Sequence, residues 1–246
     1  MPSCREADKR HSHSAFDMIA IDLDGTLIDS VADLHAAVVL MQEAMNMHPA
    51  SVGDVRRWVG NGIERLVHRA LTGTMDKEAS TTKFELALAT FLSAYGDTNG
   101  SASTLYPGVK AGLDWLSSLD VPMVCVTNKA GRFSRPLLEA LGIDKQFKHH
   151  IAGDDVPNKK PHPDALLQAA TLSKATPSRS LIIGDSISDI RAGRAAGFSV
   201  VAVSYGYNHG QAVSELVGCD QPDAVIDCFS ELPDLMSQLA KNLSSV

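Results

Sequence analysis

Asp22 and Asp24 flank a leucine in "DLDGT", just after the apolar run "MIAI". Side chains of an extended segment alternate between faces, so carboxylates two positions apart project to the same side. Like charges that close repel unless a cation or a shared proton relieves them. Three more polar clusters punctuate the chain. "VTNK" (Thr127, Asn128, Lys129) follows "VPMVCV", "NKKPHP" (Lys159, Lys160) precedes a helical pattern, and "GDSISD" (Asp185, Ser186, Asp189) follows "SLII". Carboxylates, a hydroxyl, a lysine and helix N-terminal amides together suit phosphoryl transfer through a carboxylate. Asp22, Asp24 and Asp185 repel a phosphate, so a divalent cation must mediate. Mg2+ fits, because it prefers hard oxygen ligands and keeps waters and a substrate phosphate in its octahedron. Thr127, Lys160 and the amides near Gly25 and Thr26 are expected to hold the remaining phosphate oxygens. One aspartate attacks phosphorus to form an acyl phosphate; the other protonates the leaving oxygen and later activates water. Lys159 is a rival for the role of Lys160, and Asp189 also suits the N-terminus of a helix.

The elements that must position these groups alternate between strand and helix. "FDMIAI" reads as a buried strand, and Asp29-Ser30 can cap a helix with Val31, Leu34, Val38, Met41 and Met45 on one face. "SVGDVRRWV", "GIERLVHRAL" and the stripe Phe84, Leu88, Phe91, Tyr95 add helices without an intervening strand. The polar "GDTNGSAS" reads as a linker. Beyond Pro107-Gly108 the pattern becomes β-α-β-α, with short apolar runs "VPMVCVT", "SLIIG", "SVVAV" and "DAVI" separated by helices. This predicts an α/β fold with a Rossmann-like, doubly wound parallel sheet. Ligands of such sheets sit beyond the carboxyl ends of the strands, where the polar clusters fall. The expected organisation is a flexible tail over 1–15, an α/β core over 16–30 and 105–246, and an all-helical insertion over 31–104.

Composition excludes several classes. A formal charge of −7 gives no general basic surface for nucleic acid. No apolar run approaches the ~18 residues of a membrane span. The polar opening "MPSCREADKRHSHSA" lacks a signal-peptide core, and His11 and His13 read as tail residues. Cys4, Cys125, Cys219 and Cys228 lie far apart without CxxC spacing and read as reduced thiols of a cytoplasmic protein. The expected partner is a small phosphomonoester, with no nucleic acid and no membrane, and the chain reads as a monomer or homodimer.

Across nearly all of the chain beyond the tail, "DLDGT", "VTN", Lys160 and "GDSISD" resemble the motifs of the haloacid dehalogenase superfamily. The longer stretches "WVGNGIERLVHRAL", "GDDVPNKKPHPDAL" and "SYGYNHG" resemble its bacterial phosphoglycolate phosphatase subgroup. The resemblance implies Asp22 as nucleophile and Asp24 as general acid/base. It implies Asp22, the Asp24 main-chain carbonyl and Asp185 as Mg2+ ligands, with Thr127 and Lys160 on phosphate and Asp189 (beside Ser186) orienting the others. The helical insertion resembles that superfamily's mobile cap. An aspartate at 24 separates the chain from the dehalogenases, which lack it, and from ion-pumping ATPases, which carry threonine there. Phosphonate hydrolases use a cap lysine; Lys77 and Lys83 fit a solvated helix instead. Substrate choice is assigned to the cap, where Gly60-Asn61-Gly62 opens a helix whose free amides can face a small carboxylate. Asn61 and Gly62 are therefore candidate substrate contacts, with Arg56, Arg57 and Arg65 as nearby cations. Trp58 reads as cap core and His162 as part of a structural turn. A phosphatase for another small monoester such as a sugar phosphate, a sugar-phosphate mutase, and a binding module with a relic site are the competing readings.

Overall fold

A computed structural model describes residues 15–243. The expected tail, with Cys4, His11 and His13, lies outside these residues apart from Ala15. The elements run β1 (Met18–Ile21), β2 (Ile28–Asp29), α1 (Val31–Ala44), α2 (Val52–Trp58), α3 (Ile63–Thr72), α4 (Thr81–Thr98), β3 (Thr104–Leu105), α5 (Val109–Ser117), β4 (Met123–Val126), α6 (Gly131–Ala140), β5 (His149–Ile151), α7 (Asp164–Ser173), β6 (Ser180–Gly184), α8 (Ile187–Ala196), β7 (Ser199–Val203), β8 (Ala224–Ile226) and α9 (Leu232–Leu243). Six strands form one parallel sheet in the order β5-β4-β1-β6-β7-β8. The order reverses at β1, so β1, β4 and β6 meet at a switch point.

Period-two alternation covers both faces. Ile19 and Ile21 of β1 pack toward Val109, Leu113 and Leu116 of α5, Leu137 and Leu138 of α6, and Leu232 and Met236 of α9. Met18 and Ala20 face Leu166 and Ala169 of α7 and Ile190 and Ala192 of α8. Helices on both faces of a parallel sheet make the doubly wound α/β architecture. Helices α1–α4 surround a third apolar cluster, centred on Phe91, Tyr95, Val55 and Val67 and reached from the core by Phe133 and Tyr207. The helical insert enters and leaves through the antiparallel pair β2–β3, with Ile28 opposite Leu105 and Asp29 opposite Thr104.

Two sequence expectations change. The linker assigned to "GDTNGSAS" starts later, because α4 runs through Gly96 and Asp97 to Thr98. Tertiary contacts override the weak local propensity: Tyr95 is fully buried, and the Thr98 hydroxyl donates to the Asp33 carbonyl at 3.2 Å. The residues that follow are also fixed. The buried Asp33 carboxylate accepts the amides of Gly100, Ala102 and Ser103 and the Ser103 hydroxyl. The second change is β5, whose "HHI" is too polar to read as a strand yet pairs with β4 in register Cys125 to His150. The described cysteines, Cys125, Cys219 and Cys228, are free thiols. No described helix is long and apolar enough to cross a membrane.

Candidate active site

The carboxyl ends of β1, β4 and β6 bring the predicted groups together. A cavity of about 60 Å³ is lined from the sheet side by Asp22, Asp24, Thr127, Asn128, Lys129, Lys160, Asp185, Ser186, Ser188 and Asp189, and from the insert by Leu34, Val59, Gly60, Gly62, Ile63, Leu66 and Tyr95. Lys160 is buried at its centre. Its ammonium donates to Asp22 Oδ1 at 2.6 Å, Asp189 Oδ1 at 2.6 Å and the Val126 carbonyl at 2.8 Å. Lys159, its rival in the sequence, does not line the cavity and is turned outward to Glu64 Oε2 at 3.1 Å. Burial works against a charged Lys160, but Asp189 and Asp22 outweigh it and hold the amine above its usual range.

Asp189 caps α8 and orients the lysine. Its Oδ2 accepts the Ser186 amide and hydroxyl at 3.2 and 2.7 Å while Oδ1 takes Lys160, so both oxygens serve the protein. Burial pushes the Asp22 carboxyl up to about 7 against the pull of Lys160. Burial, then Asp189 and Asp22, push Asp185 well above the carboxylate range. Such shifts mark two buried carboxyls, close to a third, with too little positive charge to offset their burial. Their oxygens lie within 4.8 Å of one another, hard donors that fit a divalent cation. Because Asp189 spends both oxygens internally, Asp22 and Asp185 are the side chains suited to that cation.

Asp185 is clamped in place. Its Oδ2 accepts the Tyr207 amide at 2.7 Å. A Cβ on Gly25, whose φ is +92°, would lie 2.1 Å from that same oxygen, and one on Gly206 would lie 2.1 Å from the Asp185 Cβ. Backbone without side chains is therefore required on both sides of this carboxylate.

Asp24 sits apart from the three acids. Its carboxylate accepts Ser30 Oγ at 2.5 Å and Lys129 Nζ at 3.1 and 3.3 Å. Ser30 thus precedes α1 without capping it through its side chain. Lys129 also bonds the hydroxyl of Tyr95 from α4. Burial disfavours its charge, and Asp24 and Tyr95 restore it beyond the usual range. Burial pushes the Tyr95 phenol up to about 12, so it stays neutral near neutral pH.

Other expected contacts divide. The Thr127 hydroxyl accepts the Lys129 amide at 3.1 Å, which leaves its proton to donate into the cavity. Asn128 is placed at the cavity, but its side chain is occupied. It accepts the Lys160 amide at 2.9 Å and donates to the Lys160 carbonyl at 2.9 Å and the Gly60 carbonyl at 3.3 Å. The Gly25 and Thr26 amides are not available to a phosphate. They donate to the carbonyls of Ile28 at 2.9 Å and Leu23 at 3.3 Å, closing the turn after Asp24. The buried Thr26 hydroxyl has no partner, and neither residue lines the cavity.

On the insert, Gly62 lines the cavity and Asn61 does not. Asn61 Oδ1 accepts Arg69 at 2.8 Å, and its amide donates to Ser188 Oγ at 3.3 Å. Arg69, unremarked in the sequence, buttresses this loop through the carbonyls of Trp58 and Met75 as well. Arg56 bridges to Asp29 at 2.8 Å, Arg57 pairs with Asp54, and Arg65 reaches Glu78 and the Asp76 carbonyl. Trp58 is buried in the insert's core, Lys77 and Lys83 are exposed, and His162 pairs with Asp164 at 2.7 Å. "SYGYNHG" binds the parts together. The Tyr207 hydroxyl donates to Asp29 Oδ1 at 2.9 Å and accepts the Ser30 amide at 2.8 Å, and Asn208 Oδ1 accepts the Ile187 amide.

Known proteins resemble this chain in sequence and fold. Residues 16–197 match the haloacid dehalogenase-like hydrolase family model. A phosphoglycolate phosphatase of Nitrosococcus oceani is 47% identical over 224 residues, covering 91% of this chain and 98% of its own. Phosphoglycolate phosphatase 1 of Pseudomonas aeruginosa is 40% identical over 225 residues, covering 91% and 81%. The crystal structure of a predicted phosphoglycolate phosphatase from Haemophilus somnus superposes with a TM-score of 0.83 at 32% identity, over 90% of this chain and 98% of that one. A buried aspartate–lysine centre at the switch point of a doubly wound sheet, with the match over 16–197, places the chain in the haloacid dehalogenase-like hydrolase family.

Proposed function

We propose that this enzyme is a Mg2+-dependent phosphoglycolate phosphatase acting through an aspartyl phosphate. The observation that carries the reading is the small cavity joining Asp22, Asp24, Thr127 and two lysines beneath a largely apolar roof. Leu34, Val59, Ile63 and Leu66 offer no hydrogen-bond partners to the hydroxyls of a sugar, which suits glycolate better than a hexose. The names of the relatives above point to the same substrate.

Asp22, fixed by Lys160, attacks phosphorus in line with the leaving oxygen. Thr127 donates to a phosphate oxygen. Lys160, whose three donors go to Asp22, Asp189 and the Val126 carbonyl, offsets the phosphate's charge from beside Asp22, and Asn128 sets the backbone that carries Lys160. Asp24 protonates the leaving glycolate oxygen and then takes a proton from the water that cleaves the acyl phosphate. Asp22, Asp185 and the Asp24 main-chain carbonyl would hold Mg2+, which neutralises charge between carboxylates and phosphate when bound. The helical insert, residues 31–104, acts as the cap that keeps bulk water out.

Phosphate release from 2-phosphoglycolate and hexose phosphates, with Mg2+ and with EDTA, tests the reading. Turnover of phosphoglycolate at the highest kcat/KM, lost in EDTA and in Asp185→Ala, supports it. Preference for a hexose phosphate, conversion of one hexose phosphate to another, or activity that survives chelation overturns it.

A further inference from the structure

Phosphoglycolate carries a second anion, the carboxylate, which needs its own cation. The cations that line the cavity among the described residues are Lys129 and Lys160, and Lys160 is committed to Asp22 and Asp189. The insert's arginines are turned to partners of their own. The N-terminus of α3 already carries a carboxylate, Glu64 of its first turn, which pairs with Lys159 at 3.1 Å. Burial opposes the charge of Glu64, but the helix amide it accepts from and Lys159 together hold it below the usual range. That leaves Lys129, whose ammonium sits 3.1 Å from Asp24 Oδ1 and against the Tyr95 hydroxyl. Leu34, Val59, Ile63 and Leu66 offer a carboxylate nothing in its place.

Substrate geometry leads to the same residue. In 2-phosphoglycolate the carboxylate carbon is two bonds from the leaving oxygen, so its oxygens lie roughly 3 Å from that atom. The leaving oxygen must come within hydrogen-bond reach of Asp24, which puts the carboxylate beside Lys129. An ammonium has three N–H donors, enough for Asp24, Tyr95 and one substrate oxygen together. Resting on the phosphoglycolate reading, we infer that Lys129 is the specificity-determining residue that binds the substrate carboxylate, oriented from the insert by Tyr95. The core then reads both ends of the substrate, and the insert supplies the apolar enclosure that strengthens the pairing.

The test compares kcat/KM for phosphoglycolate and for ethyl phosphate, which lacks the carboxylate, in wild type, Lys129→Met, Lys129→Arg and Tyr95→Phe. Wild type should prefer phosphoglycolate. The preference ratio should fall about 100-fold in Lys129→Met, survive in part in Lys129→Arg, and fall several-fold in Tyr95→Phe through KM. Losses in Lys129→Met that are equal for both substrates would make Lys129 a partner of Asp24 alone and overturn the inference. Should Lys129→Met fail to fold, an unchanged ratio in both Lys129→Arg and Tyr95→Phe overturns it. A wild type without preference for phosphoglycolate overturns the substrate reading itself, whatever the variants do.

Discussion

The floor and the roof of the cavity are built by opposite means. The floor carries buried charges, each fixed by several partners: Lys160 by three acceptors, Asp189 by three donors, Asp185 by an amide and two glycines. The roof presents Leu34, Val59, Ile63 and Leu66, and it spends its polar groups on ties to itself or to the core, such as Asn61 to Arg69 and Lys159 to Glu64. Fixed charge suits a reacting phosphate, whose charge must be met without reorganisation. Apolar covering excludes water and leaves those charges unscreened.

The contrast breaks most sharply at the paired aspartates. Asp22→Asn should bring turnover to background with every substrate and leave no phosphoenzyme. Asp24→Asn should cost about 10²–10⁴-fold on phosphoglycolate, yet still take up phosphate from an aryl phosphate that needs little protonation. Rapid-quench mass analysis should find that phosphate on Asp22 of the Asp24 variant; label on the Asp22 variant would reverse the roles.

A smaller effect should appear where roof joins floor. Asp33 is buried and accepts four hydrogen bonds from residues 100–103. Asp33→Ala leaves those donors unmet and should cost about 2–4 kcal/mol of stability in urea unfolding. A loss below about 0.5 kcal/mol would mean that the junction is held elsewhere.

The smallest effect concerns the floor's charge without a cation. Asp22 rises to about 7 in the folded chain from an ordinary 3.8. A carboxyl with a raised folded pKa lends its stability fully below 3.8 and loses it as pH rises through about 7. In EDTA, wild type should lose about 3 kcal/mol between pH 5 and 8, and Mg2+ should restore part of it at pH 8. Asp22→Asn should show a flatter curve. Parallel curves for the two proteins would remove Asp22 as the source.

The sequence made the floor legible because apolar runs ending in DxD, TN and GDxxxD announce strand ends, and strand ends converge in a doubly wound sheet. The choice between Lys159 and Lys160 needed coordinates, since neighbours in a turn point in opposite directions. Gly25 and Thr26 looked like phosphate amides because a tight turn exposes donors, but closing that turn consumed them. No local signal gives Lys129 a role, because Tyr95, 34 residues away, meets it only in the fold. Arg69 carried no signal beyond its place in an amphipathic helix. The roof was legible as helices and not as contacts, because periodicity gives the buried face and not its partners.

The β2–β3 pair has a further consequence for how such proteins diversify. Asp29 and Thr104 are opposite one another, about 5 Å apart as paired residues are, so the 74 residues between them begin and end at nearly one point. The sheet needs none of those residues to complete its strand order. Segments with adjacent ends can be exchanged without disturbing their host. The helical segment is therefore a cassette: one catalytic base can accept a larger, smaller or differently charged cassette at this seam, and new substrates can be reached while the phosphate chemistry stays as it is.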